Sequence, residues 1–167
     1  SKHKRPTGMS WRMDETYVKN KGQWGYLYRA VDKNGATVDF MFSAKRDRSA
    51  ALKFFRKANG SNGLPHTITI DKSGANNAAL ERLNLLFLMR NLCFLFITIR
   101  QIKYLNNIIE QDHRHIKRIT KPILGFKSFA AAKATLTGIE LHHMLKKGQM
   151  ICANDTPVWQ QFYTLAA

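Results

Sequence analysis

The stretch VDKNGATVDF (31–40) constrains the fold more than any other part of the chain. Two alternating runs, GYLYRAVD (25–32) and TVDFMFSA (37–44), flank Asn34-Gly35, a dipeptide that tolerates positive φ and so closes hairpins. A third run, WRMDETYV (11–18), precedes them across the turn-like KNKGQ. The chain is therefore expected to open as a three-stranded antiparallel meander.

Helical and strand patterns then alternate. RSAALKFFRKAN (48–59) has helical spacing, with Asp47 or Ser49 as cap and Gly60 as stop. HTITI (66–70) is a short strand that runs straight into Asp71, and NNAALERLNLLFL (76–88) is helical. CFLFITIRQIK (93–103) reads as a buried strand. NNIIEQDHRHIKRITK (106–121) is a helix capped by Asn106 or Asn107 and ended by Pro122, and SFAAAKATLTGIELHHMLKK (128–147) is the last helix, capped by Ser128. The order is βββ-α-β-α-β-α-α. In a mixed sheet of this order, strand 66–70 can lie parallel beside the first strand, and ligand chemistry gathers at such strand ends.

Charge narrows the function. With 27 Lys and Arg against 11 Asp and Glu, the chain carries +16 over 167 residues. A surplus of that size points to a polyanion, above all nucleic acid, whose phosphates release counterions when lysine and arginine neutralise them. A merely soluble basic surface is the competing explanation. A hydrophobic share of 44% fits one globular domain with a real core. Cys93 and Cys152 have no paired spacing, which argues for a reduced cytosolic setting and against a disulfide framework or zinc finger. The most apolar run, LLFLMRNLCFLFITI (85–99), is broken by Arg90 and Asn91 and is shorter than the ~20 residues of a spanning helix. No membrane partner is expected.

Most acids have ordinary explanations as turn, cap or surface residues. Asp14, Glu15, Asp71, Glu110 and Asp112 remain. Glu110, His113 and Lys117 are spaced i, i+3, i+7, inside an arc of roughly 60°. If that helix face looks at the ends of strands one and four, Asp14, Asp71 and Glu110 converge. Converging carboxylates suit Mg²⁺ or Mn²⁺, and two such ions could serve an in-line phosphoryl displacement, with Lys117 on a backbone phosphate. Asp112 competes with Glu110 as a ligand and ranks second. Glu15 alternates to the opposite face and reads as a supporting residue. His113 and His115 read as phosphate contacts or solvated side chains. Of His142 and His143, one is expected to be buried and one exposed. Trp24, Tyr26 and Tyr28 fill a core or, less expectedly, stack on bases.

Several ordered stretches sharpen this reading. WRMDETYVKNKGQWGYLYRAVDKNG, SAKRD, ITIDKSGA, RQIKYLNNIIEQDHRHIKR and LGFKSF closely resemble DDE transposases of bacterial insertion sequences, in particular the compact family named after insertion sequence six. The resemblance implies an α/β, ribonuclease H-like integrase core over residues 11–149. Its mixed sheet has three antiparallel strands, then parallel strands, flanked by helices. Residues 1–10 then read as a basic N-terminal remnant and 150–167 as a C-terminal tail. It also implies metal-dependent DNA strand cleavage and transfer, with Asp14, Asp71 and Glu110 as catalytic residues holding Mg²⁺ or Mn²⁺, expected to be two ions. Lys103, Arg114, Lys117, Arg118 and Lys121 become candidates for contact with the DNA backbone. Implied partners are insertion-sequence ends, target DNA and further copies of the chain, in a bacterial cytoplasm near the nucleoid.

Two departures from the family pattern stand out. No helix-turn-helix region precedes Trp11, so the chain reads as an N-terminally shortened copy. The interval from Asp71 to Glu110 is a few residues longer than the family norm, and the excess falls in the apolar run. We therefore expect a compensated frameshift over 84–99. A one-base shift of the coding DNA there should restore family-like sequence, and failure in both shifted frames removes the idea. Competing readings are a non-catalytic DNA-binding relic and a ribonuclease H-like nuclease with no transposition role.

Overall fold

Alternation in the first 43 residues builds the sheet as expected. In the computed structural model, which describes residues 4–71, 74–92, 95–102, 107–151 and 156–166, β1 spans Ser10–Asn20, β2 Gln23–Asp32 and β3 Thr37–Ser43. The β1–β2 hairpin closes through Lys21 and Gly22, both at positive φ (47° and 77°), the conformation whose twist matches paired strands. Lys21 is a left-handed non-glycine residue, and its N–H donates to the Phe126 carbonyl at 2.8 Å. The Asn34-Gly35 turn takes a different form: only Gly35 has positive φ (82°). Asp32 organises that turn, its Oδ1 accepting from the N–H groups of Asn34 and Ala36 at 2.9 Å each.

The chain continues through α1 (Arg48–Asn62), β4 (Thr67–Ile70), α2 (Gly74–Met89), β5 (Thr98–Gln101) and α3 (Asn107–Thr120). A short 3-10 turn at Lys121–Ile123 leads to α4 (Phe129–Lys146) and α5 (Val158–Ala166). Asp47 caps α1 by accepting from Ala50 N–H, and Ser128 caps α4 by accepting from Ala131 N–H. The proposed caps of α3 lie outside the described side chains. Helix α1 runs past Gly60 to Gly63, and α5 falls in a segment with no predicted element.

Strand order is β3-β2-β1-β4-β5, with β1–β2 and β2–β3 antiparallel and β1–β4 and β4–β5 parallel. Alternation separates two cores. Trp11, Met13, Tyr28 and Ile70 face α1 and α2, where Phe54, Phe55 and Leu80 are buried. Val18, Leu27 and Phe42 pack on the other side with Ile116, Leu136 and Phe126, the layer formed with α3 and α4. Fully burying each large apolar side chain contributes about 1.5–3 kcal/mol, so both layers hold the sheet.

One expected element changes character. Residues 93–103 were expected as a buried strand, but β5 covers only Thr98–Gln101 and is largely exposed. Leu85, Leu88, Met89 and Phe96 are 48%, 50%, 74% and 45% exposed, so much of the apolar run buries nothing within the described residues. Asn84 ties α2 to this segment by hydrogen bonds with both N–H and carbonyl of Ile97. Among the described residues no helix is long and apolar enough to cross a membrane.

Candidate active site

Asp14 lies on β1 directly opposite Arg29 of β2, so both side chains share the face covered by α3 and α4. Parallel pairing of β1 with β4 ends at Met13–Ile70. Asp71, the next residue after β4, therefore leaves the sheet beside Asp14. From above, α3 turns Ile109 and Ile116 into the core and leaves Glu110 exposed at the rim. The carboxylates of β1, of the residue after β4 and of α3 are thus near enough at one end of the sheet to act on one another's charge.

Electrostatics reflect that proximity. Burial chiefly, and then the charges of Glu15, Asp71 and Glu110, push the Asp14 carboxyl up to about 7, against a lowering hydrogen bond from the Glu15 backbone. His113 Nδ1 lies 3.6 Å from Asp14 Oδ2. That contact is not an ion pair, because burial and the nearby charges of Arg29 and Lys117 bring the imidazole down to about 3, leaving it neutral. Expected as a phosphate contact or a solvated group, His113 is instead 4% exposed and packs on Asp14. His115 stacks on His143 with ring centroids 4.0 Å apart, so it too has a structural partner. The expectation of one buried and one exposed residue at His142 and His143 does not hold, since both are half-buried.

Glu15 faces the other layer, as alternation requires. It is 6% exposed, paired with Arg46, and accepts from Asn76 Nδ2 at 2.7 Å. Asn76 belongs to the first turn of α2, so this bond ties the start of α2 to β1.

Asp112, two residues beyond Glu110, does separate work. It receives Arg29 Nη2 at 2.5 Å, His143 Nε2 at 2.7 Å and Lys147 Nζ at 2.5 Å. Although burial raises its pKa, these three partners hold the carboxyl well below the usual range. Arg29, fully buried, also grips Glu140 of α4 through Nε at 2.6 Å and Nη2 at 3.0 Å. The result is a balanced set of two cations and two carboxylates beside the acid cluster, locking α3 to β2 and α4. Sequence reasoning missed it. The available signal was Arg29 itself, a cation at an inward position of an otherwise apolar strand.

Of the predicted DNA contacts, Arg114, Lys117, Arg118 and Lys121 are exposed on α3 and the turn after it. Lys103 lies outside the described residues. Among those residues no group of three His, Cys, Asp or Glu side chains is gathered at metal-holding spacing. The donor chemistry still fits a hard divalent cation: the site offers the carboxylates of Asp14, Asp71 and Glu110 beside the neutral His113 imidazole, and its central carboxylate sits in an acidic surplus that a cation relieves.

The mixed five-stranded sheet and its flanking helices define a ribonuclease H-like fold. The chain belongs to the DDE-domain family, whose model matches residues 8–149. It is 40% identical over 147 residues to the transposase for insertion sequence-like element IS431mec of Staphylococcus aureus. Identity is the same to the transposase for insertion sequence element IS257 in transposon Tn4003, also from Staphylococcus aureus. Those alignments cover 87% of this chain but 61% of each relative, so the chain spans under two thirds of their length. In fold it is similar to the HTLV-2 integrase catalytic core domain, solved with magnesium, at a TM-score of 0.60 and 17% identity, over 95% of this chain and 97% of that one. The BIV integrase catalytic core gives 0.54 at 14% identity, over 95% and 96%.

Proposed function

We propose that this chain is the catalytic unit of an insertion-sequence transposase, cleaving DNA and joining the freed end to a second DNA. The carrying observation is the half-buried Asp14 carboxylate among Glu15, Asp71 and Glu110, on a chain of net charge +16. Asp14, Asp71 and Glu110 would hold Mg²⁺ or Mn²⁺, and we take the number of ions to be two. When bound, the metal supplies polarisation of the phosphodiester and of the attacking oxygen. Around it, the chain orients groups. Neutral His113 packs on Asp14, the Glu15–Asn76 bond ties the start of α2 to β1, and the Arg29 network fixes the helix that carries Glu110. Lys103, Arg114, Lys117, Arg118 and Lys121 would grip backbone phosphates, which positions DNA without reading its sequence.

In cleavage, a water oxygen forms a new bond to phosphorus as the bond to the 3′-oxygen breaks, leaving a 3′-hydroxyl. In joining, that hydroxyl makes one phosphodiester while another breaks. We take residues 11–149 as the catalytic unit, 1–10 and 150–167 as flanks, and the setting as a bacterial cytoplasm with further copies of the chain on DNA.

The loose spacing of the acids favours one alternative, a relic that binds DNA without cutting it. Incubating the chain with Mg²⁺ or Mn²⁺ and DNA carrying the element's ends separates the two. Joined products that vanish with Glu110→Gln support the enzyme. Metal-independent binding with no cleavage supports the relic, and degradation of an RNA–DNA hybrid without joining defeats both.

A further inference from the structure

Among the described residues, the β1 edge that borders the acids has no strand partner over part of its length. Pairing with β4 stops at Met13, and the next bridge on that side, Asn20 to Phe126, is held by Phe126 N–H to the Lys19 carbonyl and Lys21 N–H to the Phe126 carbonyl. Near the far end of this opening, a groove of about 420 Å³ lies between β1 and the segment after α3. Lys19, Lys117 and Lys121 line it, with Tyr17 and Trp24, and no acid does. By strand rise, Tyr17 lies about 10 Å along β1 from Asp14, on the opposite face of the strand, and the groove reaches round the strand edge to Val18 and Lys117 on the Asp14 side.

Trp24 is 58% exposed although it sits in a strand. Its ring is braced edge-on by Tyr17 at 6.1 Å, and Tyr17 is itself held by Tyr26 at 5.4 Å and by Arg46 Nη1 donating to its hydroxyl at 2.7 Å. Arg46 also pairs with Glu15, so the brace is tied to the strand that carries Asp14. Across the groove, Leu124 is 86% exposed and has left-handed backbone (φ 55°). That conformation caps the 3-10 turn, with Leu124 N–H donating to the Lys121 carbonyl at 3.3 Å, and it turns the leucine side chain out to solvent.

We propose that this groove takes an unstacked base of the DNA strand next to the acid cluster, stacked on Trp24 and flanked by Leu124, with Lys117 and Lys121 on its phosphates. The inference rests on the transposase reading and adds a base-holding subsite to it. Sequence-tolerant stacking of this kind needs an aromatic face and a basic track, both present here without competing negative charge.

The test compares a blunt DNA duplex with the same duplex carrying a short single-stranded thymine extension, both bound in EDTA so that cleavage is a separate readout. The chain is expected to bind the extended duplex roughly ten-fold tighter, the range that stacking of a base on an aromatic ring gives. Trp24→Ala should bring that ratio to about one, Trp24→Phe should keep part of it, and Trp159→Ala, on the exposed α5, should keep it whole. A wild-type ratio of one, or one unchanged by Trp24→Ala in a chain with normal melting, overturns the proposal. So does a change in self-association rather than DNA preference, which would make the groove a protein contact. Loss of cleavage with the preference intact would instead remove the enzymatic reading alone.

Discussion

Asp14→Asn is expected to stabilise the metal-free chain and to abolish its chemistry. The carboxylate is 22% exposed, lies among Glu15, Asp71 and Glu110, and has the Glu15 backbone N–H and a neutral imidazole against it. A carboxyl whose folded pKa is raised costs stability once it is ionised, and the cost is complete above that value. Asparagine keeps the shape and removes the charge. In EDTA above pH 7, the gain should be on the order of 2 kcal/mol, less than the full shift implies because the group is partly solvated. Cleavage should fall by about 10³-fold or more, since several kcal/mol of charge stabilisation would leave with the metal. Thermal melts with and without Mn²⁺ supply the check. Added Mn²⁺ should raise the melting temperature of the wild type and not of the variant. A variant that melts lower than wild type in EDTA, or still joins DNA, contradicts this account of the site.

Glu140→Ala should have the largest effect on folding. It leaves Arg29, with no exposed surface, facing Asp112 alone while Lys147 competes for the same carboxylate. Removing one partner of a buried ion pair destabilises by about 3–5 kcal/mol, mostly because the other charge stays buried. In a domain of this size that lowers the melting temperature by roughly 10 °C. Replacing Arg29, Asp112, Glu140 and Lys147 together with Met, Leu, Leu and Met should be far milder, since apolar atoms then fill the space and none of the four charges is stranded. Denaturant unfolding of both variants decides the point. A loss below about 1 kcal/mol in Glu140→Ala would mean that water reaches Arg29 and that the network does not lock α3.

Much of the architecture was legible because it is written in local periods. Alternation in 11–44 specified the meander and placed Asp14 and Glu15 on opposite faces, and Asp71 was visible as a residue ending a strand. Glu110 was legible only through its spacing to His113 and Lys117. Asp112, as close in sequence and as acidic, ranked second to it because its spacing to Lys117 fits the family pattern less well, but nothing local showed what it binds instead. The fate of CFLFITIRQIK was equally hidden, since an apolar run states an appetite for burial and not whether anything is there to cover it.

Sequence alone thus determined the element order, the faces of each strand and the stock of acids. Tertiary structure decided how those acids divide: Asp112 goes to Arg29 inside the protein, while Glu110 stays at the rim above Asp14 and Asp71. It also decided that Trp24, which strand spacing assigned to a core or sheet face, is 58% exposed and braced edge-on by Tyr17. The physical reason is the same in each case. Local pattern sets backbone period and capping, whereas the free energy of a charge or an aromatic ring depends on partners that only long-range packing brings near.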